Sequence, residues 1–149
     1  MGPNIVVTNR EAKRDYSILW TIEAGIALEG CEVKSLREHR ANLKGSFAHP
    51  DSYGNILLYN MHISPYEQAG TAGPEPARPR RLLLHKSEIK RIASELGQKG
   101  LTLIPLKVYF KGGLAKVELG LAKGRQASDK REDIKKREHE RQMQRALKK

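Results

Sequence analysis

Cysteine, aromatic residues and long apolar runs are all scarce in this chain, and each scarcity removes a class of protein. Cys31 is the single cysteine among 149 residues. No internal disulfide can form, and no cluster of thiolates can hold a metal. The five histidines, at 39, 49, 62, 85 and 139, are scattered without the close spacing of metal ligands. No cofactor is therefore expected. No apolar stretch approaches the roughly 20 residues that a membrane-spanning helix needs. The opening MGPNIVVTNREAK lacks the charged start and apolar centre of a secretory signal. A reducing cytoplasmic setting follows as the expectation.

Eight aromatics are too few for a protein that stacks successive bases along a sheet. Tyr16 and Trp20 share the apolar phase of their segment and read as core. Enzymatic signatures are equally thin. Cys31 has no base beside it in sequence, and no glycine-rich phosphate loop follows a strand. Gly112-Gly113 is followed by Leu114, not by the glutamine that release-type factors use to hydrolyse peptidyl-tRNA, so the pair reads as a turn. The chain is expected not to be an enzyme.

What the sequence has in abundance is positive charge. Lys and Arg number 28 against 17 Asp and Glu, a formal net charge of +11. A field of that size points to a polyanion, either nucleic acid or an anionic surface.

The clearest pattern is DYSILWTIEAGIALEG. Tyr16, Ile18, Trp20, Ile22, Ala24, Ile26 and Leu28 occupy every second position, the period of a half-buried strand. The segment is long for one straight strand, and Gly25 is the expected bend or bulge. CEVKSLREHRA predicts a short helix resting on Val33 and Leu36. NILLYNMHI (55–63) predicts a second strand. Residues 64–81 hold four of the chain's seven prolines and predict a mobile loop ending in Arg78, Arg80 and Arg81. LLLHKSEIKRIASELG predicts a helix on Ile89, Ile92, Ala93 and Leu96, capped at Gly97. LTLIPLKVYF then predicts a strand with Ile104, Leu106, Val108 and Phe110 on one face and an edge or bulge at Pro105. Gly112-Gly113 is a two-residue hairpin, returning through a strand with Ala115, Val117, Leu119 and Leu121 inside. The expected fold is mainly β, an oligonucleotide-binding-type antiparallel β-barrel with flanking helices, over residues 1–122.

Residues 123–149 differ. From Gly124 onward, 26 residues carry ten Lys or Arg and five Asp or Glu. On a helix Ile134 points opposite to Met143 and Leu147, so no apolar stripe forms. Arg137, Arg141, Arg145 and Lys149 do form a stripe, recurring every fourth residue. Such a basic tail is expected to be disordered when free and helical on a polyanion.

Glu23 stands out on the outward phase of its strand. A carboxylate on a surface meant for RNA weakens attraction, but it can accept from base-edge amino and imino groups and so supply specificity. An exposed ion pair with one of the many lysines explains it equally well at this level.

The blocks NREAKRDY, EAGIALEGCEVKSLR, ANLKGSFA, LYNMHISPYE, RPRRLLLHKSEI, KGLTLIPLKVYF, KVELGLAKG and DKREDIKKR stand in order from Asn9 to the C-terminus. In these the chain resembles the small protein B family, the transfer-messenger-RNA-binding proteins of bacterial trans-translation. The resemblance implies a six-stranded barrel that binds the tRNA-like domain of that RNA. The implied contact residues are Asn9, Arg10, Glu23, Lys34, Leu83 and Lys116. It further implies a tail that enters the ribosome. Gly124, Ser128, Asp129, Lys130 and Arg131 would meet small-subunit RNA at the decoding centre. Lys135, Arg137, Arg141 and Arg145 would run as a helix along the empty messenger channel. The protein would act as a monomer, without a membrane. Ser128 departs from the family pattern, which has an aromatic or histidine before the DKR block. The reading from composition alone that stays beside this one is a general single-stranded nucleic-acid-binding protein of the oligonucleotide-binding fold.

Overall fold

The computed structural model describes residues 4–65, 73–98, 100–124 and Arg141. Nine strands and three helices follow in chain order among these residues: β1 (Asn4–Thr8), α1 (Ala12–Asp15), β2 (Tyr16–Ile26), α2 (Gly30–Arg37), β3 (Ala41–Asn42), β4 (Phe47–Pro50), β5 (Ile56–Tyr59), β6 (His62–Ile63), β7 (Arg80–Leu83), α3 (Lys86–Leu96), β8 (Leu101–Lys111) and β9 (Leu114–Gly124). All pairings are antiparallel. In the main sheet β8, β4, β5, β7, β2 and β9 are neighbours in that order, and β9 pairs back onto β8. Six strands thus close on themselves, as the barrel expectation required, and closure leaves these strands without an open edge. β1 adds to the far half of β8, from Asn4↔Phe110 to Thr8↔Lys107, beyond the point where β4 pairs with it.

The period-two reading of β2 holds. Ser17, Leu19, Thr21 and Glu23 are exposed, while Ala24 and Ile26 are buried. The bulge lies at Leu19, between Ile18 and Trp20, and not at Gly25. Gly25 instead pairs with Lys116 of β9 and with Leu83 of β7 at once. A Cβ there would sit 3.2 Å from the Leu83 Cβ, so the residue is small because β7 comes close.

β8 departs from simple alternation. Its register shifts between Pro105 and Lys107, so Leu106 is the extra residue. Leu103, Val108 and Phe110 therefore share the main core with Leu36, Ile56 and Leu119. Ile104 and Leu106, expected beside Val108 and Phe110, turn to a second small cluster with Ala12, Ile18 and Ala122. The bulge anticipated at Pro105 is what reverses the phase. Val117, Leu119 and Leu121 are fully buried in β9 as expected. Gly112 (φ 58°) and Gly113 (φ 78°) close the β8–β9 hairpin with the two positive φ values that this turn demands.

Two expectations are corrected. The strand anticipated over 55–63 breaks at Asn60 (φ 64°) into β5 and β6, and β6 pairs with β3. Arg80 and Arg81, assigned to a loop, begin β7, and Leu82 and Leu83 belong to that strand and not to the following helix. Arg80 is fully buried. Its guanidinium binds Glu32 (Nε to Oε2, 2.8 Å), the Met61 carbonyl (2.6 Å) and the Pro76 carbonyl (2.8 Å). Glu32, itself buried on α2, also accepts from Arg78 (2.5 Å) and from the Glu29 N–H (3.0 Å). α3 starts at Lys86 and is closed by Gly97. Ile92 is buried, but Ala93 faces solvent.

Candidate nucleic-acid interface

β-Sheet pairing carries side chains across strands in rows that share one face. One such row on the outer surface runs Glu23 (β2), Glu118 (β9), Lys107 (β8) and Thr8 (β1). The adjacent row runs Leu83 (β7), Gly25 (β2), Lys116 (β9), Tyr109 (β8) and Ile5 (β1). Residues far apart in sequence therefore meet on five neighbouring strands.

Glu23 and Glu118 are directly opposed, an arrangement that destabilises unless each charge is met. Lys107 stands 3.6 Å from Glu118, and Lys111 stands 3.6 Å from Glu23. The Tyr109 hydroxyl also donates to the Glu23 carboxylate. That hydrogen bond is the largest influence; desolvation opposes it, and with the help of Lys111 and the field of Lys116 the Glu23 carboxyl is held below its ordinary value. The Tyr109 phenol moves the opposite way. Burial, followed by the bond to Glu23, pushes it well above the ordinary tyrosine range, so it stays a donor. Glu23 is ion-paired, as the salt-bridge reading expected, and its carboxylate remains on the surface, 38% exposed.

Beside Glu23 opens a cleft of about 420 Å³. Leu83 and Lys116 line it with Glu23, and Asn55, Arg81 and His85 form further walls. Leu83 is half exposed, held out by the in–out alternation of β7 over the bare Cα of Gly25. Three of the expected contact residues, Glu23, Leu83 and Lys116, are brought together here.

Asn9 and Arg10 lie at the other end, just past Thr8. The Asn9 N–H donates to the Leu106 carbonyl (2.7 Å) and its Nδ2 to the Pro105 carbonyl (2.9 Å), so the β8 bulge fixes its position. Asn9 and Arg10 line a smaller hollow of about 190 Å³ with Asn42 and Lys44. Lys34 is exposed on α2 and lines neither hollow. Gly124 is the last residue of β9. Ser128, Asp129, Lys130, Arg131, Lys135, Arg137 and Arg145 lie outside the described residues, and Arg141 is exposed.

Sequence reasoning missed Tyr109, Lys111 and Arg81. A signal existed for the first. With Val108 and Phe110 inward, Tyr109 had to share the outward face with Lys107 and Lys111. Arg81 carried no such signal, because its strand was not recognised.

Among the described residues no group of three or more His, Cys, Asp or Glu could hold a metal ion. No helix among them is long and apolar enough to cross a membrane.

A closed antiparallel sheet whose outer face sets lysines, an arginine and a polar carboxylate around a shallow cleft is the form of an RNA-binding β-barrel. The chain belongs to the SmpB family: the description "SmpB protein" matches residues 6–149. It is 56% identical over 148 residues to the SsrA-binding protein of Pelotomaculum thermopropionicum, covering 99% of this chain and 96% of that protein. The SsrA-binding protein of Desulforudis audaxviator is 58% identical over 141 residues, covering 95% and 92%. A solved chain described under "tmRNA-SmpB: a journey to the center of the bacterial ribosome" superposes with a TM-score of 0.68 at 52% identity. The match covers 81% of this chain and 85% of that one.

Proposed function

We propose that this chain binds the tRNA-like domain of transfer-messenger RNA and delivers that RNA to stalled ribosomes for trans-translation. Residues 1–122 grip the RNA, and residues 123–149 engage the ribosome. The observation that carries the reading is the convergence of Glu23, Leu83 and Lys116, from three separate strands, on one outer cleft. Each supplies something different. Lys116 offers charge to phosphates, Leu83 an apolar contact, and Glu23 an acceptor for base or ribose donors. Asn9 and Arg10 extend the contact toward β1, and Lys34 adds a cation on α2.

In the tail, Gly124, Ser128, Asp129, Lys130 and Arg131 meet small-subunit RNA at the decoding centre. Lys135, Arg137, Arg141 and Arg145 follow the empty messenger channel, so occupancy by a message excludes the tail. The reading makes the chain a cytoplasmic adaptor with no chemistry of its own. Its test separates the two halves. A chain ending at Lys123 should retain affinity for the isolated tRNA-like RNA and lose peptide tagging on stalled ribosomes. Tagging that survives the truncation would remove the tail from the mechanism. Full-length protein that binds the tRNA-like RNA no better than unrelated duplex would remove the cleft.

A further inference from the structure

The two acids and the two long cations around the cleft differ in how they are engaged. Glu23 is met by Tyr109 and Lys111. Glu88 accepts the His85 N–H (2.9 Å) and closes the capping box of α3. Arg81 and Lys116 form no salt bridge with any described residue. Both carboxylates already have partners, although exposed Glu23 keeps room to accept a further donor. The two cations are what the cleft presents without a salt bridge to any described residue.

Arg81 is also held in place. β7 is paired on both sides, to Leu57 of β5 and through the Ala27 N–H donating to the Arg81 carbonyl (2.9 Å). Alternation does the rest. Arg80 enters the core and is neutralised by Glu32, while Arg81 is turned outward on the same face as Leu83. A guanidinium on a rigid strand loses less freedom on binding than one on a loop, and its planar fork matches a phosphate.

We infer that Arg81 is a phosphate-binding residue of this interface. It grips a phosphodiester of the tRNA-like domain on the β7 side of the cleft, while Lys116 takes a neighbouring phosphate on the β9 side. The two cations flank Leu83, so the RNA backbone runs over that leucine and places a base or ribose edge at Glu23. The inference rests on the proposed function and adds a contact that neither the sequence nor the family resemblance supplied.

The test is the salt dependence of binding. Each phosphate neutralised by a cation adds close to one unit to the slope of log K against log salt. Full-length protein is titrated with the isolated tRNA-like RNA at several salt concentrations, alongside Arg81→Ala, Arg81→Lys and Lys90→Ala. Lys90 is exposed on α3 outside the cleft, so its removal changes net charge without touching the site. Expected is a slope lower by about one unit and an affinity roughly tenfold weaker for Arg81→Ala. Arg81→Lys should keep most of the slope, and Lys90→Ala all of it.

Arg81→Ala with an unchanged slope would overturn the inference, as would Lys90→Ala losing as much. If Glu23→Ala still weakens binding in that case, the interface stands and only Arg81 is wrongly placed. If wild-type protein shows no preference for the tRNA-like RNA, the proposed function fails with it. Circular dichroism of each variant separates these outcomes from misfolding.

Discussion

The Tyr109 hydroxyl reaches Glu23 although their strands do not touch: β9 lies between β8 and β2, and the phenol spans it to donate to the carboxylate. Crossing one intervening strand means covering roughly 10 Å between backbones. The tyrosine does so lying against the surface, which is why it is only 4% exposed on an outward face. Glu23 is thereby fixed in orientation as well as in charge.

Tyr109→Phe keeps the ring and removes the donor. The fold should persist. Affinity for the tRNA-like RNA should fall by roughly three- to tenfold, with a smaller loss on unrelated duplex, as expected when a hydrogen bond to a charged group is lost near solvent. The Glu23 carboxyl should also titrate at higher pH, which carbon-detected NMR of that side chain would register. No loss, or equal losses on both RNAs, would remove the Tyr109 hydroxyl from specific recognition through Glu23.

Gly25→Ala tests the close approach of β7. Its new methyl meets Leu83 Cβ at 3.2 Å, a carbon that moves only with the β7 backbone, and β7 is paired on both sides. Stability should drop by about 1–3 kcal/mol. RNA binding should weaken more than that figure suggests, because the displaced residue is a proposed RNA contact. Chemical denaturation paired with a binding titration on the same preparation would separate the two effects.

Glu32 and Arg80 form an ion pair buried in the fold. Glu32→Ala strands Arg80 in the core with no counter-charge, a loss of about 3–5 kcal/mol by precedent for broken buried pairs. The double variant Glu32→Leu with Arg80→Met should recover much of that loss, since no buried charge is left unmatched. Urea midpoints of the two proteins would show it. A single variant costing as little as an exposed pair would mean that solvent reaches Arg80.

The same cluster sets the response to acid. Burial pushes the Glu32 carboxyl up, but hydrogen bonds from Arg78, from the Glu29 N–H and from Arg80 outweigh it and leave it below its ordinary value of about 4.5. A carboxyl depressed in the folded state contributes stability above its unfolded pKa. It loses that contribution as pH falls through the folded value. Thermal melts should therefore be flat with respect to Glu32 from neutral pH down to about 4.5 and fall below it, whereas Glu32→Gln should melt lower at neutral pH and decline less in acid.

Local pattern carried much of this fold. β2 was legible because strict alternation over eleven residues admits one reading, and the β8–β9 hairpin because two adjacent glycines suit a turn that requires positive φ twice. Glu23, Leu83 and Lys116 were found through the family resemblance, but their meeting in one cleft depends on pairings among β7, β2 and β9 that no local pattern reports. β7 was illegible for a physical reason. An arginine pair reads as surface, and what makes Arg80 a core residue is Glu32, 48 positions earlier. The phase change in β8 was half visible. Pro105 signalled a bulge, but which side of it kept the core phase was decided by packing against Ala12 and Ala122.

The alternation of β7 also dictates where this chain tolerates changes in length. Adding or deleting one residue between Arg80 and Leu83 would invert the strand, driving the Arg81 guanidinium inward without an acid to receive it and exposing Leu82 in its stead. Natural or engineered variants should therefore hold invariant the interval from Pro76, whose carbonyl accepts from Arg80, to Leu83.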